Sequence, residues 1–364
     1  MNNEALSFSM RLFLYQKLQF ENLFFTKFVV IEMEQYFQIF INGYTGYANY
    51  LWYEITHPTL HNYFYWLILI SIFFLALEWL KPWRENQKKF RKDFWLDAFY
   101  MFFNFFLFSL LIYNGLSDVI VELTNSAASA VLGFSFQSVN PMESFPYWCV
   151  LLTGFIVRDF VQWWTHRLLH RMPFFWEFHK VHHSVKEMGF AAHLRYHWME
   201  TIVYRTIEYL PLALLGIGLY DFFIIHLFTL AIGHYNHSNF STKGIYTAGV
   251  LGLLVSIFII DQTGMEILNA IAWVIGMPIV FALVVGPWMK YIFNSPEMHI
   301  WHHAQTIPDN RKYGVNYGIS LAVWDYIFGT AKIPNDGKNI ELGFENDEKF
   351  PKTFVGQVTH LKSK

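Results

Sequence analysis

Residues 165–184 read THRLLHRMPFFWEFHKVHHS, and five histidines fall within the eighteen positions from His166 to His183. His166 and His170 are spaced i, i+4. His179, His182 and His183 are spaced i, i+3, i+4, and His299, His302 and His303 repeat that spacing in EMHIWHHA. On a helix, residues three and four apart share one face, so each group is a set of imidazoles pointing one way. Neutral imidazole is the commonest metal ligand among side chains. Without a metal, stacked histidines repel if charged, and if neutral each needs a partner for its ring N–H. The spacing therefore points to metal binding. Eight imidazoles exceed the three or four ligands one zinc takes, which implies two adjacent metals, and imidazole suits zinc, copper, iron and nickel alike. Lone histidines in an apolar chain are more often interfacial or hydrogen-bonded core residues. His57, His61, His193, His226 and His360 are read that way.

The elements that position these clusters are apolar. The chain is 54% hydrophobic and 20% aromatic but only 15% charged, with a net charge of −2. Soluble domains carry about a quarter charged residues, so the composition indicates an integral membrane protein. Near-neutral, unclustered charge leaves no nucleic-acid footprint. Cys149 is the single cysteine, which excludes an intrachain disulfide framework and a thiolate zinc site, leaving nitrogen and oxygen as ligands. The N-terminal MNNEALSFSMRLFLYQKLQF lacks the pattern of a secretory signal.

A spanning helix needs about 20 mostly apolar residues. Residues 63–80, 94–115 and 145–164 qualify. The stretch from Ile207 to Ile232, broken by Pro211, Gly216, Gly218 and Asp221, reads as a tight helical hairpin, and 245–260 with 267–286 supplies two further spans. KPWRENQKKFRKD (81–93) is basic and should be cytoplasmic, whereas Phe94 to Val157 contains no Lys or Arg. The third span then returns the first two histidine groups to the cytoplasmic face. Each later pair of crossings returns the chain to that face, so all three groups can share it.

RDFVQWWTHRLLH (158–170), PFFWEFHKVHHS (173–184), LRYHWME (194–200), HSNF (237–240), KYIFNSPEMHIWHHA (290–304) and NYGISLAVWDYIFGT (316–330) occur in that order. Over about Tyr147 to Thr330 the chain resembles the fatty acid hydroxylase and sterol desaturase superfamily of membrane non-haem di-iron oxidases. The resemblance implies metal ligation by His166, His170, His179, His182, His183, His299, His302 and His303. It adds His197 and His237, with His234 as an additional candidate. Asp159 opens the first box in the family manner, as a partner for a histidine N–H. Asn316 and Asp325 match the closing motif, with helix capping or turn formation as the competing reading. The chain departs from the family where a transmembrane hairpin intervenes between Phe240 and Glu297; this reads as lipid contact, an oligomer interface packed through the small residues of GIYTAGVLG, or part of a lipid entrance.

The implied protein is an all-α, multi-span membrane bundle with a histidine-rich di-metal site on the cytoplasmic face. Residues 1–145 form an N-terminal membrane region and 146–330 the catalytic domain, with its inserted hairpin near 245–286. Residues 331–364 form a polar tail that covers the site, assists docking or is simply solvated. The family's chemistry is O2-dependent attack on an unactivated C–H bond of a lipid, giving an alcohol or an alkene, at two irons that zinc can replace in purified protein. No motif for haem, iron–sulfur, flavin or nicotinamide is present, so electrons must come from a cytochrome b5, ferredoxin or reductase at the cytoplasmic side. The competing class is a metal transporter or a non-catalytic zinc protein built on the same histidines. Transporters usually place ligands near the bilayer midplane, whereas these boxes lie at span ends beside Arg and Lys.

Overall fold

The computed structural model describes residues 33–59, 62–109, 114–133, 140–307 and 311–360. Among them the secondary structure is helical apart from two isolated bridges, Phe293 with Leu321 and Ala304 with Leu342. The helices are α1 (33–56), α2 (Tyr63–Leu80), α3 (Phe94–Phe102), α4 (Asn114–Leu132), α5 (Tyr147–Arg171), α6 (Pro173–His183) and α7 (Trp198–Leu214). They continue as α8 (Leu219–His237), α9 (Gly244–Thr263), α10 (Ile267–Val284), α11 (Met289–Ile292), α12 (Pro296–His302), α13 (Val323–Ile327) and α14 (Phe354–Val358).

The chain divides into two compact units, residues 1–53 with 108–135 and residues 54–107 with 136–364. In the first, α1 and α4 approach through glycines. A Cβ built on Gly115 would lie 2.7 Å from the Phe40 carbonyl oxygen, and one on Gly43 would lie 3.1 Å from Gly115 Cα. The sequence reading places a loop where α4 stands. Part of the 94–115 span, and His61, lie outside the described residues.

The second unit holds all the histidine clusters. Asn62 starts α2 by accepting a hydrogen bond from Tyr65 N. After Phe102, α3 runs into a π-helical turn, Phe103–Leu107. The turn buries Asn104, whose amide donates to Leu194 O (3.1 Å) and Tyr196 O (3.0 Å). Leu67 of α2, Met101 of α3, Leu194 and Leu230 of α8 form one buried cluster. Helices α2 and α3, which the sequence groups with the N-terminal region, thus wall the histidine-bearing helices. Burying Leu67 completely is worth ~1.5–3 kcal/mol.

The broken stretch after Ile207 is a hairpin, turning at Gly216 with φ +72° between α7 and α8. Asp221 caps the entry to α8 by accepting from Gly218 N at 3.0 Å. The inserted segment is a second hairpin, α9 and α10, turning at Gly264 with φ +56°. Its small residues serve that hairpin, for a Cβ on Gly252 would lie 2.7 Å from Met277 O. Helix α10 is apolar all round and buries no residue. Among the described residues, α2 and α10 are long and apolar enough to cross a membrane.

Candidate metal centre

Four helices bring the histidines together. His166 and His170 leave α5 one turn apart. Met172 alone separates α5 from α6, where Pro173 takes the first helical position, and α6 carries His179, His182 and His183. His237 ends α8, and α12 supplies His299 and His302, with His303 at its C-terminal cap. The nine converge as two groups, His166, His170, His179, His183 and His302, and His182, His237, His299 and His303. Within each group the candidate ligand nitrogens lie within 4.8 Å of one another.

The partition follows helix geometry. At about 100° per residue, positions i and i+4 nearly eclipse while i+3 falls on the other side. In α6 the i, i+4 pair joins the first group and His182 the second. In α12 the assignment inverts, with the i, i+4 pair in the second group and His302 in the first.

Most rings are anchored through Nδ1. The His166 Nδ1–H donates to Tyr317 O at 2.7 Å, His182 to Arg195 O at 3.1 Å, His237 to Gly233 O at 2.8 Å and His302 to Val315 O at 2.8 Å. An imidazole that spends its one N–H this way presents a bare lone pair at Nε2. Yet His182 Nε2 faces His237 Nε2 at 3.3 Å. Two acceptors at that distance repel, and charging one ring is no escape, because burial holds His182 down at about 3. A cation between the lone pairs resolves the conflict. In the other group His166 Nε2 faces His179 Nε2 at 3.1 Å, while His179 Nδ1 meets the Glu200 carboxylate at 2.8 Å. Burial pushes Glu200 up to about 8, and positive charge on the far nitrogen of His179 is what a buried carboxylate requires. His170 Nε2 is buried and has no hydrogen-bond partner among the described residues. The donor set, nitrogen-only with carbonyls behind it, fits a pair of first-row transition metals.

The remaining sequence candidates have other roles. His197 belongs to neither group. Its Nδ1 accepts from Met199 N (3.1 Å), capping α7, and its Nε2 donates to Val358 O (2.9 Å). His234 also stands outside, with Nε2 on Ser71 Oγ (3.2 Å) and Nδ1 on His193 Nδ1 (3.1 Å). Asp159 meets no histidine. Seven residues from His166, it lies about 10 Å lower on α5 and accepts from Ser320 N, Leu321 N and Trp324 Nε1. Asp325 does act on the site, through the backbone. It accepts from Tyr317 N (2.9 Å) and Gly318 N (2.7 Å), fixing the carbonyl that holds His166. Asn316, at φ +54°, donates to Met298 O of α12 and to Lys332 O.

Two residues beside the groups make contacts that the sequence reading did not assign. Glu200 is one, and its only local signal is its place three residues after His197, as in a capping box. His193 is the other. Its ring packs 5.1 Å from that of His237 and fills the space left by Gly233, where a Cβ would lie 2.1 Å from His193 Cε1. His57, His226 and His360 lie outside both groups.

The tail covers the site. Gly343 N donates to His303 O (3.0 Å), Lys186 pairs with Asp347, and Arg84 donates to the carbonyls of Lys338 and Ile340. Trp176, 5.0 Å from the His170 ring and 5.2 Å from that of His183, packs against Phe344 of the tail.

All nine grouped histidines fall within the two segments, residues 151–251 and 242–330, that match the family model named Fatty acid hydroxylase. The chain belongs to the fatty acid hydroxylase superfamily. Within this superfamily it is 25% identical over 232 residues to the ornithine lipid hydroxylase OlsE of Rhizobium tropici, covering 64% of this chain and 56% of that one. It is 25% identical to the alkylglycerol monooxygenase of Homo sapiens, over 50% of this chain and 31% of that one. The fatty acid hydroxylase vlmA of a Lecanicillium species is 23% identical over 57% of this chain and 50% of its own. The chain thus spans about half or less of the length of these curated relatives. No solved structure matches it.

Proposed function

We propose that this member of the superfamily is an O2-dependent, lipid-modifying oxidoreductase of a membrane, which hydroxylates or desaturates a C–H position of a sterol, fatty acid or related lipid. His166, His170, His179, His183 and His302 would hold one iron, and His182, His237, His299 and His303 the other. The observation that carries the reading is the confrontation of the His182 and His237 lone pairs, each fixed by a backbone carbonyl. Bound iron supplies O2 activation toward an unactivated C–H bond.

The chain's own residues do the rest. Carbonyls of Tyr317, Val315, Arg195 and Gly233 orient the rings. Trp176 and Phe344 keep water from the first group. Membrane crossing by several helices, with the histidines on the cytoplasmic face, is supported by the all-round apolar surface of α10 and by the basic segment 81–93. Electrons would enter on that face from a separate donor. The relatives' printed names, an ornithine lipid hydroxylase and an alkylglycerol monooxygenase among them, support a lipid substrate.

The test is metal analysis of detergent-purified protein expressed with iron, beside a His182→Ala, His302→Ala double variant, followed by lipid profiling of cells grown under 18O2. About two metals per chain, lost in the variant, and an 18O-labelled lipid or a new alkene are expected. Metal without any change in cell lipids would leave a non-catalytic metal protein. A folded protein that binds no metal would sink the proposal.

A further inference from the structure

Below the histidines, α5, α7 and α8 carry a second buried polar layer that the metal centre does not use. Arg158 precedes His166 by eight residues, about 12 Å along α5. Glu208 follows Glu200 by the same interval on α7, and Thr229 precedes His237 by the same interval on α8. Three helices therefore place polar groups at one depth in an apolar bundle. Ionisable groups at such depth mark binding sites and pathways more often than packing.

The contacts in this layer leave one specific vacancy. Arg158 Nε donates to Glu208 Oε2 (3.2 Å), its Nη1 to Thr229 Oγ1 (2.7 Å) and its Nη2 to His226 Nδ1 (3.2 Å). Its guanidinium also lies over the Phe222 ring. Gln162 Nε2 donates to Glu208 Oε1 at 2.7 Å. That bond fixes the orientation of the amide, because a carboxylate only accepts. Gln162 Oε1 is then an acceptor, buried, on a residue 8% exposed, and no donor reaches it among the described residues.

The chemistry of the missing partner follows. A carboxylate or phosphate has no proton for Gln162 Oε1, and an ammonium would be set beside the Arg158 guanidinium. A neutral donor remains, a hydroxyl or an amide N–H. We infer that this layer is the anchoring site for the neutral hydrogen-bonding head of a lipid, with Gln162 as the residue that reads it. Resting on the lipid-oxidising function proposed above, this makes the substrate a lipid whose hydroxyl or amide is held by Gln162, four residues and about 6 Å along α5 from His166.

Binding tests this without turnover. Full-length protein in detergent is titrated with 1-hexadecanol, hexadecyl methyl ether or hexadecanoate while its thermal unfolding midpoint is followed. The alcohol should bind about tenfold more tightly than the ether, the effect of one well-made hydrogen bond, and more tightly than the carboxylate. Gln162→Met, similar in shape but without the acceptor, should erase the preference for alcohol over ether. Equal binding of alcohol and ether to the unaltered protein overturns the inference, and this arm needs no variant to fold. A preference that persists in Gln162→Met overturns it as well. Selective alcohol binding by a protein that never oxidises a lipid would sink the oxidase reading and leave this site standing. Oxidation without alcohol selectivity would do the reverse.

Discussion

At the scale of single residues, His166, His182, His237 and His302 each spend the Nδ1–H on a backbone carbonyl and leave Nε2 bare. Because the two groups share no histidine, single substitutions should separate them. His166→Ala and His303→Ala are each expected to retain about one metal per chain, from opposite groups, measured by elemental analysis and distinguished by the spectrum of the remaining ion. The same burial sets a pH dependence for the metal-free protein. His182 is held down at about 3 and His197 at about 4, both chiefly by desolvation. Unfolded, each takes up a proton near pH 6.5, so between those limits the unfolded state binds more protons. Stability should therefore fall as pH drops below about 6.5 and level off only near pH 3. Urea melts of chelator-treated protein at pH 7.5, 6 and 5 check this, and a midpoint independent of pH would contradict it.

At the scale of elements, much of the site was legible because helical spacing is local. The boxes at 166–183 and 299–303 mark candidate ligands through periodicity alone, and every one of those eight residues lies in a group that could hold a metal. His197 follows the family pattern by position, while its ring caps α7, a bond its own sequence does not announce. The contacts of Glu200 with His179 and of His193 with His237 are not local for a related reason, since those partners are reached only through the fold. Asp159 was read at the right residue and the wrong depth. Gly233 is the element-scale counterpart of His193. Gly233→Ala should push the His193 ring aside and disturb the carbonyl that holds His237, costing ~1–3 kcal/mol and weakening the second metal selectively. Competition with a graded chelator would show this as early loss of one metal of two.

At the scale of the whole chain, the helical class was legible in the long apolar segments, but α4 and the contacts of the tail were not. Residues 331–364 read as a polar tail that covers the site, assists docking or is solvated; Leu342 and Phe350 are buried and Gly343 N donates to His303 O, which favours a cover. Gly343, at φ +132°, is the point where it clamps down, and a Cβ there would lie 1.9 Å from Asp347 Oδ2. Gly343→Val should lift this cover and speed metal loss to chelator several-fold while leaving the helix content by circular dichroism intact. Unchanged loss kinetics would show that the tail does not guard the centre.

The interleaving of α6 and α12 across both groups has a mechanical meaning. Each helix grips the two positions at once, with its i, i+4 pair on one and its i+3 side chain on the other. The gap between two ions held there would be set by the pitch of a helix and not by any loop. A single residue inserted between His179 and His182 would turn the later ligands by about 100°. Both ions would lose their seats together, as when one tooth is slipped in a gear train.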